Sequence, residues 1–179
     1  TLRNTVEAFA RNGSTLRTNS SGSIKLTATD VATTSAKTVA TSVSFTGGGA
    51  GASFSVSAAL ANNDIANTVR AYSDRSTLTS AGNVELSASA TPAIRALSVA
   101  ATFSAAASPV GGAFAGAGAD SRNTINNTVS AFVQGASASS RSTVTAAGTI
   151  ALSAAESATI NAEVGSGALA AALIGGSLG

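Results

Sequence analysis

Apolar and polar positions alternate with a period of two along much of the chain. Ile24, Leu26 and Ala28 are separated by Lys25 and Thr27. The same alternation returns in Val84, Leu86 and Ala88 around Glu85, and in Ile150, Leu152 and Ala154 around Ala151. Successive side chains of an extended strand point to opposite faces, so this pattern predicts strands with one buried side. The apolar positions keep their character in all three places, whereas Lys25, Glu85 and Ala151 share no charge, as expected of a drifting solvent face. Two further alternating runs, Thr41-Ser42-Val43-Ser44-Phe45-Thr46 and Ala52-Ser53-Phe54-Ser55-Val56-Ser57, flank the glycine-rich residues 47–51 and predict strand, turn, strand. Residues 99–103, a break at 109–112, and Phe114 echo them.

These runs belong to a repeat. Asn4-Thr5-Val6-Glu7-Ala8-Phe9 returns as Asn67-Thr68-Val69-Arg70-Ala71-Tyr72 and as Asn127-Thr128-Val129-Ser130-Ala131-Phe132. A second motif follows each: Ser14-Thr15-Leu16 leading to Gly22, Ser76-Thr77-Leu78 to Gly82, and Ser142-Thr143-Val144 to Gly148. From Gly22 to Asn67 is 45 residues, and so is Gly82 to Asn127, whereas each Asn precedes the next Gly by 18, 15 or 21. A fixed segment implies stacked elements held in register; the variable one (Asn12-Gly13, Asp74, residues 135–140) reads as a surface turn.

One continuous all-β array is therefore expected, with units of about 60 residues at roughly 4–66, 67–126 and 127–179. Each unit reads as about five short strands joined by Gly, Asn and Ser turns. Alone it cannot bury its apolar face, so neighbours stack. A β-solenoid with the apolar face inward is the first expectation; stacked antiparallel hairpins closing around residues 47–51 are the alternative. Thr1 begins in mid-pattern and the third unit stops at Gly175-Gly176, where a return strand is expected. The chain thus reads as a window cut from a longer array.

Composition narrows the class. Charged residues are 10% of the chain, against roughly 25% in a typical soluble protein. The chain is nevertheless 44% hydrophobic with a net charge of +2, which is not the composition of a disordered segment. Residues 96–119 and 163–179 are weakly polar but owe this to Ala and Gly, so no membrane insertion by helices is expected. Ten basic residues are scattered singly among eight acids, which makes no nucleic-acid-binding patch.

The Asn-Thr-Val-x-Ala-Phe/Tyr motif, followed by Ser-Thr and Gly-x-Val/Ile-x-Leu, resembles repeats of giant bacterial surface proteins, the filamentous haemagglutinin-like and leukotoxin-type adhesins. The resemblance covers essentially the whole chain. It implies a secreted bacterial β-solenoid stalk, adhesin or filament and carries no catalytic residue across.

Candidate chemistry is sparse. Without His or Cys, neither a Ser-His-Asp nor a Cys-His arrangement can be built, and no enzyme is expected. Among the acids, Asp30 and Glu156 share one repeat position, where the second unit has Ala90; both read as solvated carboxylates. The nearest approach to a calcium repeat is Gly116-Ala117-Gly118-Ala119-Asp120, which occurs once, so no metal is expected and Asp120, like Asp64, reads as a turn residue. The glycine clusters lack a following Lys-Ser/Thr, so no phosphate cofactor is expected. Lys25 and Lys37 both lie in the first unit, which excludes a Lys–Asn staple as part of the repeat. The structural positions are Asn4, Asn67 and Asn127 with Gly22, Gly82 and Gly148. The asparagines either stack as a ladder or occupy left-handed turns.

The function expected is an extracellular structural or adhesive module at a bacterial cell surface, forming a stiff stalk, sheath or filament. Its partners would be neighbouring repeats or identical subunits, with polysaccharide or a host surface beyond them. The alternative is a flat ligand-binding face for polysaccharide or ice, suggested by Thr27, Thr29, Thr33 and Thr34 but weakened by their replacement with Ser or Ala in the later units.

Overall fold

The computed structural model describes residues 1–137 and 140–173; Gly175-Gly176 lies outside them. The described residues are all-β. The first repeat supplies β1 (Thr5–Arg11), β2 (Thr15–Arg17), β3 (Ile24–Asp30), β4 (Thr33–Gly47) and β5 (Gly51–Ile65). The second supplies β6 (Thr68–Asp74), β7 (Thr77–Ser80), β8 (Val84–Ala90), β9 (Ala93–Ala107) and β10 (Gly111–Ile125). The third supplies β11 (Thr128–Gln134), β12 (Thr143–Ala146), β13 (Ile150–Glu156) and β14 (Thr159–Leu173).

Sheets form between equivalent strands of successive repeats. Their orders are β1-β6-β11, β2-β7-β12, β3-β8-β13, β4-β9-β14 and β5-β10. The pairing is parallel and aligns like with like: Val6 with Val69, Leu16 with Leu78, Leu26 with Leu86, Leu86 with Leu152. This is a stack of repeated units in parallel sheets, an arrangement that fits a β-solenoid. The register also locates the length differences. Thr5 pairs with Thr68, Thr15 with Thr77 and Ile24 with Val84, so the separation falls from 63 to 62 to 60. One extra residue therefore sits in the turn at Asn12 and Gly13, both at positive φ. Two more sit near Ser20, also at positive φ, a second insertion point that the motif spacing alone did not separate from the first.

Two compact units divide the chain, and every repeat contributes to both. The first comprises Thr1–Thr34, Asp64–Ala93 and Thr124–Thr159; the second comprises Ser35–Asn63, Ile94–Asn123 and the described residues from Ile160 onward.

In the first unit the period-two reading holds. Ile24 and Ala28 are buried, as are Val69, Ala71, Leu78, Val84, Leu86 and Ala88, with Val6, Ala8, Leu16, Val129 and Val144 packed against them. The middle coil is the best covered because it has a neighbour on each side; burying each of its Val and Leu side chains contributes about 1.5–3 kcal/mol. Leu86 is 0% exposed, whereas its third-coil equivalent Leu152 is 45% exposed.

The second unit overturns three expectations. Its strands are not short: β4, β5, β9, β10 and β14 have 15 residues each. The hairpin alternative fails, because β4 and β5 run in opposite directions but belong to different sheets. They form an arch whose backbone hydrogen bonds run to the next repeat. Finally, the apolar side is not the inner one. Along β5, Ser53, Ser55, Ser57, Ala59 and Ala61 are buried while Phe54, Val56 and Leu60 are exposed. Along β4, Val39, Val43 and Phe45 are exposed, Val43 to 75%.

The interior is a zipper of hydroxyls. The Ser42 and Ser55 Oγ atoms lie 2.6 Å apart, those of Ser53 and Ser104 2.7 Å, and those of Ser44 and Ser104 3.1 Å. Ser98 Oγ donates to the Ala59 carbonyl at 2.8 Å. Side chains with one heavy atom beyond Cβ let the two sheets approach closer than the roughly 10 Å of an aliphatic core, and mutual hydrogen bonds offset the desolvation of the hydroxyls. Val and Phe would hold the sheets apart. The weakly polar residues 96–119 thus lie in strands β9 and β10 and the bend between them; among the described residues no helix is long and apolar enough to cross a membrane.

Candidate functional site

The residues that recur in the sequence are brought together as ladders along the stacking direction. Asn67 Oδ1 accepts the backbone N–H of Asn4 at 2.8 Å, and Asn127 Oδ1 accepts that of Asn67 at 2.8 Å. Among the described residues, the non-glycine ones at positive φ are Asn12, Ser20 and Arg75, so these asparagines form a ladder and are not left-handed turn residues. The bonds run from side chain to backbone, which leaves each amide nitrogen free for a second partner. Asn67 Nδ2 donates to Asp30 Oδ2 at 2.6 Å, and Asn127 Nδ2 to Glu156 Oε1 at 2.9 Å. Asp30 and Glu156 therefore each hold an asparagine. Asp30 is buried, contrary to its reading as a solvated carboxylate; Glu156 is exposed.

The glycine positions form a second ladder, just before the start of β3, β8 and β13, whereas the asparagines bond at the far end of β3 and β13. The Gly82 N–H donates to the Gly22 carbonyl at 2.8 Å, and the Gly148 N–H to the Gly82 carbonyl at 3.0 Å. A Cβ on Gly82 would stand 2.6 Å from the Ser21 carbonyl oxygen, so close approach of the coils is what demands glycine there. Asn83 adds a rung by accepting the Thr149 N–H on Oδ1 at 2.9 Å.

Three ladders went unread in the sequence. The last residue of the Asn-Thr-Val motif builds an aromatic stack: Phe9 and Tyr72 have ring centroids 5.6 Å apart, Tyr72 and Phe132 5.1 Å, and the Arg11 guanidinium lies 4.4 Å from the centre of Phe9. The aromatic at every copy of this position was the available signal. In the second unit Asn63 Nδ2 donates to Asn123 Oδ1 at 2.8 Å. On the solvent face the apparent charge drift is pairing: Lys25 Nζ lies 3.3 Å from Glu85, and Arg70 lies 3.6 Å from Glu7.

Asp64 and Asp120, read as turn residues, lie instead within β5 and β10. No group of three or more His, Cys, Asp or Glu side chains among the described residues is placed to hold a metal ion. A surface cavity of about 350 Å³ in the second unit is lined by Ser35, Lys37, Arg95, Leu97, Asn161 and Glu163, among others. It offers two cations and one carboxylate, without a nucleophile and base in contact. Thr27 and Thr29 lie exposed on β3, and Ser89 Oγ donates to Thr29 Oγ1 at 3.3 Å, so part of that hydroxyl face bonds to itself. Compared with protein-family models, curated proteins and solved structures, the chain matches none.

Proposed function

We propose that this chain is a non-enzymatic structural repeat module, a β-solenoid that grows coil on coil as part of an extracellular bacterial stalk, sheath or filament. One observation carries the reading. The apolar positions fully buried in the middle coil, Val84 and Leu86, are 49% and 45% exposed as Ile150 and Leu152 in the last coil. That face fits another coil of the same pattern. The ladder has the same polarity: the backbone N–H of Asn127 takes the place that in Asn4 and Asn67 is satisfied by the next coil's asparagine. A further coil, from a longer chain or a second copy, would continue Asn, Gly and aromatic ladders at once. Low charge supports the same reading, since little repulsion opposes packing of one module on another.

Electron microscopy and fibre diffraction of the purified chain test this. Rods with an axial spacing of about 4.8 Å between coils are expected, and Leu152→Lys on the exposed end should shorten them. Isolated monomers at every concentration, with binding on a glycan array, would replace the structural reading with a ligand-binding one.

A further inference from the structure

The second unit has an apolar face that coil stacking does not cover. On the sheet β4-β9-β14 the outward rows run across equivalent strand positions. The Thr38–Ser98 and Ser44–Ser104 contacts set an offset of 60 from β4 to β9. Hydrogen bonds from Thr159 to Pro92 and from Ser108 to Leu173 set an offset of 66 from β9 to β14. One outward row is therefore Val43, Phe103 and Leu169, all exposed. The adjoining outward row, two residues earlier on each strand, is Thr41, Ala101 and Gly167, also exposed.

We propose that this face pairs with the same face of a second copy about a twofold axis parallel to the stacking direction. Such an axis, passing at the level of Ser42, reverses the strands and keeps the order of the coils. Val43 then meets Thr41 of the second copy, Phe103 meets Ala101, and Leu169 meets Gly167. Large faces small in the second and third coils, the isologous complementarity a twofold interface requires. In the first, Val43 meets its isostere Thr41 and the exposed Val39 meets the exposed Phe45, apolar against apolar. The same axis sets Lys37 against Gly47 of the second copy, so the charges of Lys37, Arg95 and Glu163 stay at the rim.

Extent supports this occupant. The uncharged outer stretches on the three strands comprise about thirty residues, each covering ~3.3 by ~4.8 Å. That is roughly 500 Å² per copy and roughly 1,000 Å² for the pair, the lower bound for a specific interface, and it grows with every coil added. A lipid surface is the less favourable cover. In a chain whose ends carry no further coil, β4 and β14 are the open edges of this sheet, and hydrocarbon would leave their outward backbone groups without partners.

The inference goes beyond end-to-end stacking, and its test separates the two. In a Leu152→Lys background, which blocks growth on the exposed end, sedimentation of the chain should still show a monomer–dimer equilibrium. Phe103→Ala leaves a void against Ala101, and Ala101→Phe sets two phenylalanines against each other. Each should weaken the dimer at least tenfold, while the double variant, which exchanges knob and hole, should return within about threefold of the parent. Both positions are solvent-facing, and circular dichroism checks that each variant folds. A double variant no better than the singles overturns the proposal, as does a chain that stays monomeric in this background. Flotation of such a monomer with phosphatidylcholine vesicles would assign the face to a lipid surface instead.

Discussion

The side-chain oxygen of Asn127 accepts the backbone N–H of Asn67 at 2.8 Å, although the two residues are 60 positions apart in sequence. This bond joins one coil to the next and fixes their register to the residue, because a slip by one would flip every apolar side chain to the other face of its strand.

Asn67 is the most connected rung, since it also holds the buried carboxylate of Asp30. Asn67→Ala removes both bonds and leaves that carboxylate without its amide donor. A loss of about 2–4 kcal/mol is expected, read as a lower urea midpoint. Asn4→Ala, at the ladder's first rung, should cost less.

Two glycines predict opposite signs. Gly82→Ala drives a methyl group to 2.6 Å from the Ser21 carbonyl, and separating the coils there should cost about 1–3 kcal/mol. Gly118→Ala meets nothing within 4 Å and narrows the unfolded ensemble, so it should be neutral or stabilising by up to about 1 kcal/mol. Thermal unfolding of the two variants side by side checks the contrast.

Tyr72 is sandwiched between Phe9 and Phe132. Tyr72→Ala should destabilise by about 3–5 kcal/mol, whereas Tyr72→Phe keeps the stack and should cost under about 1 kcal/mol. As the chain has a single tyrosine and no tryptophan, the near-ultraviolet dichroism of the parent reports directly on this ladder and should disappear on unfolding.

Thr102 Oγ1 is buried without a hydrogen-bond partner. Thr102→Val keeps the shape and removes an unpaired hydroxyl, so the variant should be as stable as the parent or more so, by about 1 kcal/mol. Ser104→Val, whose hydroxyl bonds both Ser44 and Ser53, should be destabilising in the same denaturation assay.

The sequence by itself determined the repeat, the alternating strands around Leu26, Leu86 and Leu152, and the pairing of equivalent positions between coils. The 15-residue length of β4, β5, β9, β10 and β14 was not legible, because small Ala, Gly and Ser residues read equally as turn and as strand. Asn4, Asn67 and Asn127 recur with Gly22, Gly82 and Gly148 because parallel stacking places equivalent residues beside one another, so a ladder in space is a repetition in sequence. It also determined the inward face of β3, β8 and β13, where Ile24, Val84 and Ile150 leave one apolar option. Only the tertiary structure decided the faces of β4, β5, β9 and β10. Alternation of Ser with Phe and Val marks two faces without saying which is covered, and it is the same for a hairpin as for an arch. The choice depends on what lies across the gap. Ser42 finds Ser55, and Ser53 finds Ser104; small hydroxyls that satisfy one another let the two sheets close, and Val43, Phe54 and Phe103 are left facing outward.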